Sequence, residues 1–304
     1  MSQFVTPAMI VDALKALSDN PSKTRASFFR GQCVRGAYIP SDQASEITKS
    51  MSFTKPSRVL GRFSVEDDNS GIIHADRAAL RGFSFRLGRN GHRSDLLTQS
   101  APVHYAKTLD QMLAFLKAHT PGQDGKRDAE RIRSFFAANP ESLHQAEYLT
   151  ALPLLTNFAS TTYWGVHSFS ATNSKGETRY IKIKIAPVSG AMPPSDDEPK
   201  LPSNEFLSNE LRTRIAKGDV RFSVLALLDR PNDPIQDVTV RWPDEDCRES
   251  VRLGTLVVTC VDPNDICDSS IFDPANLAEG VGYPPDEIFQ ARRVVYKLSL
   301  ARRR

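Results

Sequence analysis

Residues 161–187 read TTYWGVHSFSATNSKGETRYIKIKIAP, and this stretch decides the class of fold. Its second half alternates Ile181, Lys182, Ile183, Lys184 and Ile185. A period of two belongs to a β-strand, and it predicts one face buried in a core and one face wet. The intervening Asn173, Ser174, Lys175 and Gly176 suit a four-residue turn. The stretch is therefore expected to be an antiparallel hairpin.

Working outward, further strand-like runs precede it at 33–39, 57–65, 82–88 and 95–100, and follow it at 220–228 and 254–261. Helical patterns lie between and around them. The first is predicted over 5–20, where Thr6 can cap it and Pro7 suits its first turn. In 108–119 the apolar residues Leu109, Met112, Leu113 and Leu116 fall on one face. Segments 127–140, 203–218 and 290–304 also read as helices, and the Pro-rich stretch 190–205 reads as a surface loop. No strand–helix–strand alternation repeats, and no glycine-rich phosphate loop follows a strand. The expected class is α+β, antiparallel β with segregated helices, in a single domain over 1–304.

Composition narrows the function. Apolar and charged residues make up 40% and 25% of the chain, ordinary values for a globular protein. The net charge of +3 is far from that of a dedicated nucleic-acid binder, so no nucleic-acid partner is expected. No apolar run approaches a membrane span, and the N-terminus lacks the basic start of a signal peptide. The four cysteines, Cys33, Cys247, Cys260 and Cys267, form no CxxC pair and suggest no zinc site. Reduced thiols and a cytoplasmic location are the expectation.

The chain ends QARRVVYKLSLARRR, residues 290–304, with one tyrosine among basic residues. Three readings are open: a solvated tail, a phosphate-binding tail, or charges that serve Tyr296. On a helix, Arg292, Tyr296 and Arg303 fall within roughly 40° of one another. A phenol titrates near about 10, nearby positive charge favours its phenolate, and a tyrosine phenolate is a known axial ligand of haem iron.

Six segments share one resemblance, in one order. The R-x-x-x-Y of Arg292 and Tyr296, with arginine seven residues on, resembles the ligand helix of catalases. GRFS (61–64) resembles the family's V-R-F-S, and LRGFSFRL (80–87) its P-R-G-x-A-x-K-F. DLLTQSAPVHYAKT (95–108) is similar to D-L-V-G-N-N-T-P-x-F-F-x-R-D without gaps. The hairpin resembles G-V-N-x-F-x-x-x-N-x-x-G-x-x-x-Y-V-K. NPSKTRASFFRGQCVRGAYIPS (20–41) is similar to the segment of the small catalase-related peroxidases that carries H-A-K-G. The resemblance spans roughly 5–190 and 270–304 and implies a catalase-type antiparallel β-barrel whose C-terminal helix carries the haem ligand.

That resemblance implies haem b bound through Tyr296, with Arg292 as the charge partner of the phenolate. It implies that Arg25, Arg62 and Arg303 hold haem propionates, by charge-assisted pairing. The Asp found two residues after the tyrosine in larger catalases is Leu298 here. The catalytic histidine of the family is matched by Phe28, and an alternative register puts Cys33 there. Ser100 is matched to the distal asparagine, and Ser64 to the residue that orients the missing histidine. His74 is expected in a solvated loop, and His104 is expected to pack. His167 has two readings, stacking at the haem edge or plain packing. Three functions remain open at this point: a peroxide- or organic-hydroperoxide-dependent oxidoreductase with weak hydrogen peroxide disproportionation, a non-catalytic haem binder, and a haem-free interaction protein. Peroxide and a small reductant are the implied partners, and a homodimer is suggested by the small members of the family.

Overall fold

A computed structural model describes residues 4–18, 23–66, 79–89, 91–151, 157–190 and 204–303. His74, residues 19 and 20 of the first expected helix, and nearly all of the 190–205 loop lie outside the described residues.

Among the described residues ten strands follow one another: β1 (Arg30–Pro40), β2 (Ser57–Val65), β3 (Arg81–Leu87), β4 (Ser94–Gln99), β5 (Tyr163–Trp164), β6 (Phe169–Thr172), β7 (Thr178–Pro187), β8 (Val220–Leu228), β9 (Ser250–Asp262) and β10 (Val281–Gly282). The hydrogen-bonded order β7-β5-β4-β3-β2-β1-β9-β8 returns to β7 through a second pairing, in which Ile181 faces Leu228 and Pro187 faces Phe222. This closes an eight-stranded antiparallel barrel with no free edge. β6 and β10 extend the sheet beside β7. The class is α+β, and the expected hairpin is β6–β7, with Gly176 at φ 84° in its turn.

Period-two alternation sorts the side chains of the barrel wall. Phe63 of β2, Phe83 and Phe85 of β3, Tyr163 of β5 and Phe222 of β8 join one buried cluster, in which Phe63 stacks on Phe83 at 4.1 Å. Each fully buried ring of this kind contributes roughly 1.5–3 kcal/mol. Their neighbours Arg62, Ser64, Gly82, Ser84, Leu97 and Gln99 point to the other side of the wall.

A helical layer stands against that outer side. It contains α1 (Pro7–Ser18), α4 (Leu109–His119), α5 (Ala129–Ala138) and α9 (Glu287–Arg303). Ile10 and Val11 of α1, Leu113, Phe115 and Leu116 of α4, Phe135 of α5 and Ile288 and Val295 of α9 form its own apolar cluster. The Thr6 hydroxyl accepts from the Met9 amide at 3.4 Å, and Thr108 caps α4 by accepting from the Gln111 amide at 3.1 Å. The remaining helices are α2 (Ala44–Ile47), α3 (Met51–Thr54), α6 (His144–Ala151) after a 3-10 turn at Pro140–Leu143, α7 (Asn204–Lys217) and α8 (Asn264–Asp268).

Two expectations are corrected. The lysine face of β7 is not wet: Lys182 is only 2% exposed, because the 229–249 connection folds over it. Its ammonium donates to Glu245 at 2.7 Å and to the Pro102 carbonyl at 3.1 Å. Burial pulls the Lys182 pKa down, and Glu245 opposes that shift. Nor are all four cysteines reduced. Cys33 of β1 and Cys267 of α8 are joined in a buried disulfide across 234 residues of sequence, while Cys247 and Cys260 are free and exposed. Their spacing gave no sign of this, because the barrel, not the local sequence, brings α8 onto β1. The redox argument for a reducing compartment therefore no longer rests on all four thiols.

Two outcomes follow. Alkylation of the denatured, unreduced protein labels two cysteines, Cys247 and Cys260, and reduction raises the count to four; four labels before reduction contradict the Cys33–Cys267 bond. Glu245→Leu leaves a buried ammonium without its carboxylate and lowers unfolding stability by about 3–5 kcal/mol. Lys182→Met combined with Glu245→Leu costs less than that single change, as read from denaturant midpoints.

Candidate functional site

A cavity lies between the outer side of β2–β4 and α9. Counted with the solvent at its mouth it encloses ≈ 1350 Å³ of empty space. Residues 25–28 close one side, and Ile271 and Phe272 close another. Gly82 makes room on the sheet wall. A Cβ there would come within 2.6 Å of Ser64 Oγ and 3.4 Å of the Phe28 ring.

On the helix wall, Arg292, Tyr296, Ser299 and Arg303 all line the cavity from one stripe of α9. Arg292 donates to Tyr296 Oη at 2.9 Å and to His167 Nε2 at 2.9 Å. A guanidinium only donates, so His167 Nε2 accepts and its proton resides on Nδ1. Nδ1 then donates to Asp286, 2.9 Å away. Burial pulls the His167 pKa down despite that carboxylate. Burial pushes the Asp286 pKa up, but His167, the Phe289 amide and Arg292 more than offset this and hold it low. The resulting chain runs from an ionised carboxylate through a neutral imidazole and a guanidinium to the phenol oxygen. His167 therefore sits behind Arg292, packed edge-on against Phe289 at 5.1 Å, and is not among the cavity-lining residues.

At one end of the cavity three arginines converge on the turn after α8. Arg25 donates to the Cys267 carbonyl at 2.5 Å and to the Ser270 carbonyl at 3.3 Å, and Arg303 donates to the same Ser270 carbonyl at 2.5 Å. The Asp268 carboxylate lies 3.3 Å from Arg25 and 3.9 Å from Arg62. A carboxylate thus already occupies the point where two of these guanidiniums meet. Arg62 also donates to the carbonyls of Phe28 and Phe29 at 2.8 and 2.5 Å. These bonds hold Phe28 at φ 51°, a conformation unfavourable for a bulky side chain.

The sheet wall is where the sequence reading and the geometry part. Phe28 lines the cavity, packed with Leu80, Ala101 and Leu149. Cys33 does not line it and is bonded to Cys267. Ser64 lines it beside Phe28. Ser100 does not: its hydroxyl accepts from the Arg81 amide at 3.0 Å, on the far side of the strand end. The neighbouring Gln99 faces the cavity instead, across the sheet from Gly82, with its amide donating to the Val103 carbonyl at 2.8 Å. The alternation of Leu97 and Gln99 along β4 was the available signal for this. His104 packs as expected, flat on Tyr105 at 4.2 Å, but it also borders the cavity. Burial pushes its pKa down to about 3, so it stays neutral. Glu66 and Gln145, which the sequence reading passed over, line the cavity too.

A phenol oxygen held by a guanidinium, facing arginines that already bind a carboxylate, fits a flat iron-bearing ligand with two carboxylate arms. Comparison with known proteins points the same way. The catalase family profile matches residues 6–304. A catalase-related peroxidase of Synechococcus elongatus is 27% identical, over 98% of this chain and 89% of its own length. A second, from Mycolicibacterium paratuberculosis, is 25% identical over 99% and 95%. Among solved structures, catalase A of Saccharomyces cerevisiae superposes with a TM-score of 0.79 at 20% identity, covering 97% of this chain and 64% of its own. The chain spans less than two thirds of that larger enzyme but most of the catalase-related peroxidases. With the barrel and a profile match over nearly its whole length, the chain belongs to the catalase family.

Proposed function

We propose that the chain is a catalase-related haem peroxidase that binds haem b in this cavity with Tyr296 as the iron ligand. The observation that carries the reading is the Arg292 hydrogen bond to Tyr296 Oη on the cavity wall. It places positive charge beside a phenol oxygen that, once ionised, can serve as an anionic ligand there. The sequence contains no C-x-x-C-H, the signature of covalent haem attachment, which favours haem b.

Each residue has a part. Arg292 compensates the phenolate, and His167 with Asp286 fixes the orientation of Arg292. Arg25, Arg62 and Arg303 take the propionates. A propionate would compete with the Ser270 carbonyl for Arg25 and Arg303, because it adds a full negative charge and a bidentate acceptor to guanidiniums that now meet only a neutral oxygen there. Haem in this cavity supplies the iron that reacts with a peroxide. On the opposite wall Phe28 excludes water from the reacting face and carries no proton. Ser64 and Gln99 are the hydrogen-bonding groups beside it. With phenylalanine where the family has its base, hydrogen peroxide disproportionation is slow, and organic hydroperoxides with a small reductant are the better substrates.

Haem titration tests the binding: the wild type develops a Soret band at one equivalent, and Tyr296→Phe loses it or shifts it. A Tyr296→Phe spectrum identical to the wild type overturns the ligand assignment. Phe28→His tests the opposite wall. Histidine tolerates the left-handed backbone at this position better than phenylalanine. At equal haem occupancy it raises oxygen release from hydrogen peroxide by at least about 10²-fold. Ser100→Asn adds nothing, because that side chain points into the strand end, whereas Gln99→Asn alters the rate.

A further inference from the structure

Loss of the histidine leaves a question of proton handling, and the cavity contains one candidate. Glu66 is the only carboxylate among the described residues that line it. Its backbone is fixed: the Glu66 amide donates to the Leu80 carbonyl at 2.8 Å, continuing the β2–β3 ladder. Arg62, Ser64 and Glu66 alternate along that strand and all three face the cavity. Glu66 therefore stands one same-face step beyond Ser64, about 7 Å along the strand. The Phe28 ring covers the point where Ser64 and Gly82 meet. The sheet wall thus presents an apolar cover in the place matched to the family's histidine, and a carboxylate at the next cavity-facing position.

Glu66 is also coupled to the ligand wall. Its negative charge pushes the Tyr105 phenol towards its neutral form, while Arg292 acts on the same phenol in the opposite sense; burial is the larger cause of the upward shift. Tyr105 thus lies within the electrostatic reach of both walls. Besides Glu66, the charged or titratable residues that line the cavity are Arg25, Arg62, His104, Tyr105, Arg292, Tyr296 and Arg303. His104 is pinned by its stacking on Tyr105 and by the Ala106 backbone at Nδ1.

We infer that Glu66 is the acid–base residue of this cavity, taking and returning the proton of a bound hydroperoxide. This rests on the haem-peroxidase reading above. The hydroperoxide gives the proton of its inner oxygen to Glu66. The O–O bond breaks with its electron pair going to the outer oxygen. Glu66 returns the proton to that oxygen, and an alcohol leaves. The iron of a bound haem would serve as the two-electron reductant and oxygen-atom acceptor of this cleavage.

The test uses haem-loaded wild type, Glu66→Gln, Glu66→Asp and His104→Phe. Haem occupancy is read from the Soret band, and a wild type that takes up no haem defeats the underlying reading rather than this one. Cyanide binding, followed by the Soret shift at neutral pH, is the readout independent of turnover, because hydrogen cyanide must lose its proton to bind. At equal occupancy Glu66→Gln slows cyanide binding and tert-butyl hydroperoxide turnover by about 10²-fold or more. Glu66→Asp recovers part of both. Equal cyanide rates in wild type and Glu66→Gln overturn the inference. So does a loss of rate in His104→Phe with Glu66→Gln unaffected.

Discussion

Closure of the sheet by the β7–β8 pairing is the constraint on which the rest of the molecule depends. Seven registered residue pairs from Ile181–Leu228 to Pro187–Phe222 complete the ring, and every strand then has one inward and one outward face. The inward faces fill with phenylalanine and aliphatic side chains. The outward faces of β2, β3 and β4 must be covered by something else, and α9 with α1 and α4 covers them only in part. The cavity is the space left between. A one-residue slip in β2 would bury Arg62 and Ser64 in the barrel and turn Phe63 out, so register and site are a single requirement.

The two walls of the cavity are built differently. The helix wall is a fully paired electrostatic chain from Asp286 to Tyr296, in which each donor and acceptor has a role fixed by its neighbour. A chain of this kind is costly to break part-way, since each buried polar group then loses its partner. The sheet wall is mostly apolar around Phe28, with Ser64, Gln99 and Glu66 at its margins. The arginine-rich end is held by the 267–270 turn, which the Cys33–Cys267 disulfide ties to β1. One wall of the cavity is thus fully hydrogen-bonded and the other largely apolar.

Much of this was legible in sequence because it is periodic. The Ile–Lys alternation gave the hairpin, and the Arg292–Tyr296–Arg303 spacing gave a one-sided helix stripe before any fold was known. What escaped was set by three-dimensional proximity. Lys182 looked solvent-facing because the residue that covers it, Glu245, is 63 positions away. Cys33 and Cys267 looked reduced because only barrel closure makes them neighbours. Gln99 and Ser100 lie against two adjacent asparagines of the family pattern, and only strand alternation says which of the two faces the cavity. His167 was seen as a possible neighbour of the haem, but its bond to Arg292 depends on a helix 125 residues later. Glu66 matched no motif and was found only as a wall residue.

The central claim is that α9 holds haem iron through Tyr296 while the converging arginines hold its carboxylates. The most direct measurement is a crystal structure of the haem-loaded protein. The account predicts Tyr296 Oη bonded to the iron, still accepting from Arg292, with Arg25, Arg62 and Arg303 on the propionates in place of the Ser270 carbonyl and Asp268. Iron bound by His104, or haem seated elsewhere on the molecule with Tyr296 bonded to Arg292 alone, would contradict it.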